Sequence, residues 1–386
     1  MTDDPIPFGR PMLDGAALDA VRDVLESGIL VHGQVTPAFE EAFARRLGAR
    51  HAVAVASCTA GLHLTLFVKD VGPGDRVAVP AMTHVATAHS VELQGATPVF
   101  VDVDPATGNM DPEALAALEG PLAAVTPVHY LGLPCAMDRI NAIAAEKGAF
   151  VLEDCALAVD AVYGQKKAGT LGLAGAFSFY PVKHMTSIEG GMVTTDDDEL
   201  AFQLRKRRAF GYNRMLGERA RPGIYDVDAL GFNYRMSEVE AAVGLAQIAR
   251  LDAFQAARAE NAATLRAALS KIEGLTLFPL EHGPARSSHY CLNAVLPRDG
   301  SVHRDTVVDG LKARGIGSSI HYPGPVPLFT YYSEKYGYRP GQFPIAEWLA
   351  DQTISLPVGP HLGEDGAGRI ADAFAGAYRE GQKARG

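Results

Sequence analysis

Short β-rich runs alternate with helical patterns through the first half of this 386-residue chain. The runs are almost continuously apolar, as strands buried on both faces of a sheet are. Seven runs are recognisable: His51–Ala56, Arg76–Pro80, Thr97–Asp102, Ala123–Val128, Phe150–Leu152, Gly175–Tyr180 and Gly191–Thr195. This alternation predicts an α/β fold with a mostly parallel sheet covered by helices on both faces. In such folds ligands bind beyond the carboxyl ends of the strands.

The pattern changes in the second half of the chain, where a long alanine-rich helix is followed by β-α-β material and a terminal helix. The elements predicted there are a helix over Ser237–Ser270, a strand over His289–Leu296, a helix over Arg304–Arg314, a strand over Ile316–His321 and a helix near Gly366–Arg379. We therefore expect a large domain at residues 1–250 and a smaller C-terminal domain at residues 251–386.

Charge and cysteine content exclude several classes of function. The formal net charge is −10, so the broad cationic surface that binds nucleic acid is not expected. The four cysteines are too few and too scattered for a disulfide framework, which fits a reducing cytosol. The N-terminus is acidic and broken by proline, unlike a signal peptide, and no apolar stretch reaches the roughly 20 residues of a membrane span. We expect a cytoplasmic protein.

The stretch Gly175–Thr195 carries the most specific chemical signal. A β-rich run leads to Ser178 and then to Lys183, in a loop that closes at Gly190 and Gly191. Aromatic and aliphatic residues surround the lysine in sequence, and an apolar setting lowers the pKa of an amine and makes it nucleophilic toward an aldehyde. Lys183 is therefore a candidate Schiff-base lysine, with a solvated surface lysine as the alternative.

A pyridoxal phosphate site also needs an acid for the pyridine nitrogen and donors for the phosphate. Asp154 ends an apolar run at a predicted strand end, where the alternative is an acid that caps the next helix. Thr59 and Ala60 lie in a small-residue turn from strand to helix, whose amides favour an anion, and the Ser178 hydroxyl could add a contact. His84 follows another strand end and could stack on an aromatic ring, although a lone histidine is more often structural.

Other motifs are weak. Gly169, Gly172 and Gly175 are regularly spaced but precede a strand, so a nucleotide-dependent oxidoreductase has little support. The histidines and cysteines show no spacing typical of zinc, and we expect no metal. Basic residues cluster at Arg205–Arg208 and Arg214–Arg221. They form either a solvated helix face and loop or a binding surface for the diphosphate of a sugar nucleotide.

Taken in order, these motifs resemble the DegT/DnrJ/EryC1/StrS family of sugar aminotransferases, which are fold-type I pyridoxal phosphate enzymes. The likeness covers nearly the whole chain and is strongest at FSFYPVKHMTSIEGGMV. Further matching segments are IPFGRP, SCTAGLHL, VPAMTHVAT, GATPVFVDVDP, PVHYLG, LEDCALA, GFNYRMSEVEAAVGLAQ, GIGSSIHYP and SLPVGPHL. The resemblance implies a large domain with a mostly parallel seven-stranded sheet flanked by helices, and a smaller α+β domain.

The resemblance also implies the reaction and its partners. The expected enzyme is a pyridoxal phosphate-dependent aminotransferase that converts a nucleotide-linked keto-deoxysugar to an amino sugar for polysaccharide biosynthesis. Glutamate is the expected amino donor. The expected assembly is a homodimer in which the two subunits share each active site.

Site residues are implied position by position. Lys183 would form the Schiff base and carry protons, and Asp154 would pair with the pyridine nitrogen. The amides of Thr59 and Ala60 would hold the phosphate. Three further positions complete the implied site: the Ser178 hydroxyl on the phosphate, Asn233 reaching that phosphate from the other subunit, and His84 where the family usually has the ring-stacking Phe, Tyr or Trp.

The sequence departs from the family pattern at three more positions. Leu157 stands where a His or Gln usually bonds near the cofactor's phenolic oxygen, Cys58 replaces a common Gly in the phosphate turn, and Pro327 replaces a frequent His of the substrate region. Two alternatives within the resemblance stay open. The first is a sugar 3-dehydratase, in which a His replaces the lysine, whereas Lys183 is present here. The second is a catalytically silent regulator that binds the cofactor, and such a protein could have lost the lysine.

Overall fold

The structure is a computed structural model that describes residues 4–213 and 224–383. The helices are α1 (Gly15–Ser27), α2 (Val35–Leu47), α3 (Cys58–Val68), α4 (Val85–Glu92), α5 (Pro112–Ala116), α6 (Met137–Glu146), α7 (Asp198–Arg207), α8 (Glu238–Ile248), α9 (Leu251–Leu269), α10 (Arg304–Ala313), α11 (Thr330–Tyr336), α12 (Pro344–Gln352) and α13 (Gly366–Lys383). The strands are β1 (His51–Val55), β2 (Arg76–Pro80), β3 (Thr97–Val101), β4 (Ala124–Val125), β5 (Phe150–Asp154), β6 (Val162–Tyr163), β7 (Lys166–Lys167), β8 (Ala174–Ser178), β9 (Gly191–Thr195), β10 (Thr276–Leu277), β11 (Glu281–His282), β12 (Ala285–Arg286), β13 (Cys291–Val295) and β14 (Thr353–Pro357).

A seven-stranded sheet in the order β1-β9-β8-β5-β4-β2-β3 forms the centre of the fold. Every pairing from β8 to β3 is parallel, whereas β9 is antiparallel to both of its neighbours. The strands are buried almost throughout, which explains their continuous apolar runs. The prediction of a mostly parallel seven-stranded sheet is confirmed.

Strand direction determines where the functional residues meet. The six strands other than β9 run the same way, so their carboxyl ends share one edge of the sheet. Strands β8 and β9 are antiparallel neighbours, which can be joined without a crossover helix. The connection at residues 179–190, which contains Lys183, therefore begins at that same edge.

The C-terminal part contains a three-stranded antiparallel sheet, β10-β13-β14, against which α9, α10 and α13 pack. Two pairings link it to the earlier chain. Strand β12 pairs with β6, and Ile6 forms a parallel bridge with Ile316 and packs in the C-terminal core. The expected boundary between residues 250 and 251 stays a prediction.

Two predicted elements were wrong. The single helix over Ser237–Ser270 is two helices that separate at residues 249–250, because α8 packs against α1 and α2 whereas α9 turns to pack against α13 and β13. The segment Ile316–His321 forms no strand, since its backbone pairs with Ile6 at one end and with Ser355 at the other, and neither pairing extends. Among the described residues, no helix combines the length and the apolar character needed to cross a bilayer.

Candidate active site

A cavity of about 380 Å³ opens at the shared carboxyl edge of the sheet. Five of the seven predicted site residues line it: Thr59, His84, Asp154, Ser178 and Lys183. They come from the segments after β1 and β2, from the ends of β5 and β8, and from the β8–β9 connection. The geometry therefore brings together residues up to 124 positions apart in sequence.

Lys183 lies on the wall of the cavity, in a turn where its amide donates to the carbonyl of Tyr180 (3.0 Å). Its Nζ is 5.3 Å from the centre of the Tyr290 ring, which also lines the cavity. Burial lowers the pKa of the Lys183 amine, although the acidic groups nearby, including Asp154, act in the opposite direction. A less basic lysine is a better nucleophile toward an aldehyde at neutral pH.

Asp154 is the last residue of β5 and is almost fully buried. Its Oδ2 accepts a hydrogen bond from the Thr87 hydroxyl (2.8 Å), and its Oδ1 accepts one from the amide of Ala156 (3.1 Å). The thiol of Cys58 lies 3.9 Å from Oδ1. These contacts fix the orientation of the Asp154 side chain, where the cofactor requires an acid for its ring nitrogen.

The predicted phosphate turn lies at the N-terminus of α3. Thr59 lines the cavity, and the Ser178 hydroxyl faces it from the end of β8 while accepting a bond from the amide of Tyr180 (3.4 Å). The amide of Ala60 instead donates to the Ser57 hydroxyl (3.0 Å), which caps the helix. A phosphate contact from Ala60 stays a prediction, and it requires this cap to be shared or released.

His84 is the N-cap of α4 and faces the cavity. Its Nδ1 accepts a hydrogen bond from the amide of Ala86 (3.2 Å), so the ring proton lies on Nε2. Burial lowers the pKa of His84, although the nearby Asp154 carboxylate acts in the opposite direction. The histidine therefore presents an uncharged ring at neutral pH, as a stacking residue does.

Asn233 does not reach this cavity. It is exposed and lies between Phe232 and Tyr234, whose rings stack with centroids 4.8 Å apart and an interplanar angle of 10°. The side chain of Tyr234 is anchored by a 3.1 Å contact between its hydroxyl and His63 Nδ1. Asn233 therefore lies on the surface of the chain and not in the cavity of its own subunit.

Sequence reasoning assigned no role to several residues of the cavity wall. Tyr290, His321, Tyr322 and Glu189 all line it. His321 is held by a 3.0 Å contact between its Nδ1 and the Ser355 hydroxyl, and burial lowers the pKa of His321 to about 3. In the sequence, only the family resemblance of the segment GIGSSIHYP indicated that this segment belongs to the site. Its strand-like pattern does not predict a loop that lines the cavity.

The departures from the family pattern fall partly inside the cavity. Leu157 and Cys58 line it, whereas Pro327 is buried in a short turn and does not.

The basic cluster at Arg205–Arg208 is bound by other side chains of the same chain. Its arginines contact Glu40 and Gln203, and Lys206 pairs with Asp228. These contacts favour a structural role for that cluster. The cluster at Arg214–Arg221 lies outside the described residues.

The donor set fits pyridoxal phosphate. An amine of lowered basicity, a hydrogen-bonded carboxylate, a hydroxyl at a strand end and a helix N-terminus all border one cavity. The cofactor requires an amine for its aldehyde, an acid for its ring nitrogen and donors for its phosphate. Together with the mostly parallel sheet, this arrangement defines a fold-type I pyridoxal phosphate enzyme.

Comparisons with known proteins agree with that class. The profile of the DegT/DnrJ/EryC1/StrS aminotransferase family matches residues 11–375, and the chain belongs to this family. It is 39% identical to the spore coat polysaccharide biosynthesis protein SpsC of Bacillus subtilis, over 95% of this chain and 96% of that protein. The enzyme is a pyridoxal phosphate-dependent sugar aminotransferase.

Two solved structures show the same fold along the whole chain. One is S. venezuelae DesV in complex with a ketimine intermediate, with 33% identity, a TM-score of 0.87 and coverage of 96% of this chain and 99% of that one. The other is the pyridoxal phosphate form of the putative sugar aminotransferase Spr1654 from Streptococcus pneumoniae, with 26% identity, a TM-score of 0.91 and coverage of 97% and 99%.

Proposed function

We propose that the enzyme transfers the amino group of glutamate to a nucleotide-linked keto-deoxysugar in the cytoplasm, and that the amino sugar enters polysaccharide biosynthesis. The observation that carries this proposal is the cavity shared by Lys183 and Asp154. The similarity to SpsC, whose name places that protein in spore coat polysaccharide biosynthesis, supports the product class. The four cysteines are buried and free, as a reducing compartment favours.

Bound pyridoxal phosphate supplies an aldehyde for amines and a ring that delocalises the electrons of a deprotonated carbon. Asp154 would pair with the ring nitrogen, because hydrogen bonds from the Thr87 hydroxyl and the Ala156 amide hold its side chain in place. Thr59 and Ser178 would hold the phosphate, and His84 would stack on the ring. Lys183 Nζ would hold the cofactor through its aldehyde and, when the amine is free, would take the proton from the α-carbon of the donor and later deliver a proton to the sugar carbon.

The decisive experiment follows the visible absorption of the cofactor-loaded protein during addition of glutamate. We expect the band to shift to that of the aminated cofactor, and a keto-deoxysugar nucleotide to reverse the shift. Lys183→Ala should abolish turnover and the visible band of the resting enzyme. A Lys183→Ala protein that transaminates at the wild-type rate would refute the assignment. A loaded wild-type protein that ignores glutamate but responds to another amino acid would refute the proposed donor.

A homodimer completes the proposed site, with Asn233 of one copy reaching the phosphate bound by the other. Asn233 is exposed and lies outside its own cavity. Large apolar side chains are exposed just before it in the chain, at Ile224, Tyr225, Val227 and Leu230. A patch of this kind is typical of a surface that another protein covers.

Mixing two inactive variants tests this arrangement. Lys183→Ala and Asn233→Ala, combined under conditions that exchange subunits, produce mixed dimers in which one site has both residues intact. With random pairing, about a quarter of the sites regain activity in a two-fold dimer. No recovery from a mixture that demonstrably contains mixed dimers would place Asn233 in its own subunit's site or outside catalysis.

A further inference from the structure

The guanidinium of Arg258, on α9, is buried without an acidic partner. The residue is 6% exposed, and no carboxylate pairs with it among the described residues. Burial lowers the pKa of Arg258 to about 10, so the group stays charged at neutral pH. Burial of a charge is unfavourable unless other groups compensate it. Here the compensating groups are the acceptors of its hydrogen bonds.

The hydrogen bonds of Arg258 all go to main-chain carbonyls at the wall of the active site. Nη1 donates to the carbonyls of Tyr290 (3.1 Å) and His289 (3.3 Å), and Nη2 donates to the carbonyl of Lys183 (3.4 Å). One guanidinium therefore joins the backbone of Lys183 to the segment that precedes β13. The planar fork of arginine suits this task, because its five donors keep a fixed geometry.

A second contact joins the same two segments. His184, the neighbour of Lys183, is fully buried, and its Nε2 lies 3.0 Å from the carbonyl of Ser288, to which it donates. The hydroxyl of Ser288 donates in turn to the carbonyl of Leu157, on another wall of the cavity (3.1 Å). His289 follows with a φ of +55°, a left-handed conformation that is unfavourable for a residue with a side chain.

The side chains of the two joined segments meet in the cavity, where Lys183 Nζ is 5.3 Å from the Tyr290 ring centre. Movement of either backbone would change this approach. Proton transfer by Lys183 depends on its position to within a fraction of an ångström, and a misplacement of about 1 Å can cost 100-fold in rate.

We propose that Arg258 is a positioning residue of the aminotransferase, whose guanidinium fixes the backbones of Lys183 and Tyr290 relative to each other and so sets the approach of the lysine amine to the cofactor and substrate carbons. This inference rests on the proposed function only for the role of Lys183. It concerns no contact between Arg258 and a ligand.

Arg266 provides a matched control. It lies two turns further along α9, is partly buried, and donates from Nη1 to the carbonyl of Phe278 (2.6 Å). It is therefore also an arginine that binds a main-chain carbonyl, but it has no contact with the lysine loop. Arg258→Ala and Arg266→Ala remove the same atoms from the same helix.

The test uses cofactor-loaded protein and three readouts: the pH titration of its visible absorption band, the rate of the half-reaction with glutamate, and rescue by millimolar guanidinium chloride against sodium chloride. For Arg258→Ala we expect a displaced titration midpoint and a rate lowered about 10- to 100-fold, with partial recovery of both in guanidinium. Arg266→Ala should titrate like the wild type and show no guanidinium response.

Equal titration midpoints and rates for the two alanine variants would overturn the proposal. A slow Arg258→Ala protein would also overturn it if its titration midpoint is unchanged and guanidinium does not restore its rate. If the alanine variant does not fold, Arg258→Lys decides by the same titration and rate, because one ammonium group cannot reproduce the fork. A wild-type protein with no visible band after loading would instead refute the role of Lys183 itself, which distinguishes the two failures.

Discussion

Replacement of Glu153 by glutamine tests the buried network behind Asp154. Glu153 is fully buried on β5 and acts only as an acceptor. Its Oε2 accepts from His129 Nε2 and from the amide of Gly169 (both 2.8 Å), and its Oε1 accepts from the amides of Leu171 (2.7 Å) and Gly172 (2.8 Å). The carboxylate thus joins β5 to the loop that leads into β8.

Glutamine has the same shape but only one acceptor oxygen. In one orientation its NH₂ group faces the buried donors of His129 and Gly169, and in the other it faces the partly buried amides of Leu171 and Gly172, so two donors lose their acceptor. A change of tautomer at His129 does not remove the conflict, because His129 Nδ1 accepts from the amide of Cys135 (3.1 Å) and would then carry a proton toward that donor. At about 1–3 kcal/mol for each unsatisfied donor, Glu153→Gln should lower the free energy of unfolding by about 2–6 kcal/mol.

The loss is large against the roughly 5–15 kcal/mol by which folded proteins are stable. Urea denaturation followed by circular dichroism measures it in cofactor-free protein. Glu113→Gln is the control, because Glu113 forms an exposed ion pair with Arg139, and pairs of this kind contribute about 0–1 kcal/mol. If Glu153→Gln stays within about 1 kcal/mol of the wild type, the reasoning from unsatisfied donors is refuted.

Two further predictions concern groups expected to contact the cofactor. Asp154→Asn should slow the half-reaction with glutamate about 100- to 1000-fold, because the ring nitrogen loses its ionic partner, and a rate within threefold of the wild type would contradict this role. His84→Phe should remove a pH dependence. Since burial lowers the pKa of His84, its ring is uncharged at neutral pH and gains a proton only as the pH falls. The affinity of the wild type for the cofactor should then weaken by up to about tenfold for each pH unit toward acid. In the Phe variant the affinity should lose the share of this pH dependence that comes from His84. Equilibrium titration of the apoprotein with the cofactor measures both.

Much of the fold could be predicted because the strands of its main sheet are buried on both faces. The run Arg76–Pro80 became β2 and the run Gly191–Thr195 became β9 with unchanged bounds. Gly28 and Gly48 are local signals of a similar kind, since both glycines adopt the left-handed conformation that ends α1 and α2. Strand order was not readable, because it depends on pairings between segments far apart in the chain.

The site divides in the same way. Lys183 and Asp154 follow or end strands whose direction sends them to one edge, so a sequence pattern and the α/β rule were enough to bring them together. Arg258 and His321 depend on tertiary contacts, since Arg258 meets a carbonyl 75 positions away and His321 meets a hydroxyl 34 positions away. No local pattern distinguishes such residues from the other arginines and histidines of the chain.

The chemistry explains why the site tolerates the departure from the family pattern at His84. No side chain of similar shape supplies the amine that binds an aldehyde or the negative charge that faces a ring nitrogen, and Lys183 and Asp154 are the residues proposed for these two roles. A ring that covers the cofactor needs only a flat and uncharged surface. The position of His84 meets that condition, because the Ala86 amide occupies Nδ1 and burial opposes protonation. The histidine can therefore replace an aromatic ring without a change in the reaction, but only at a pH at which it stays neutral.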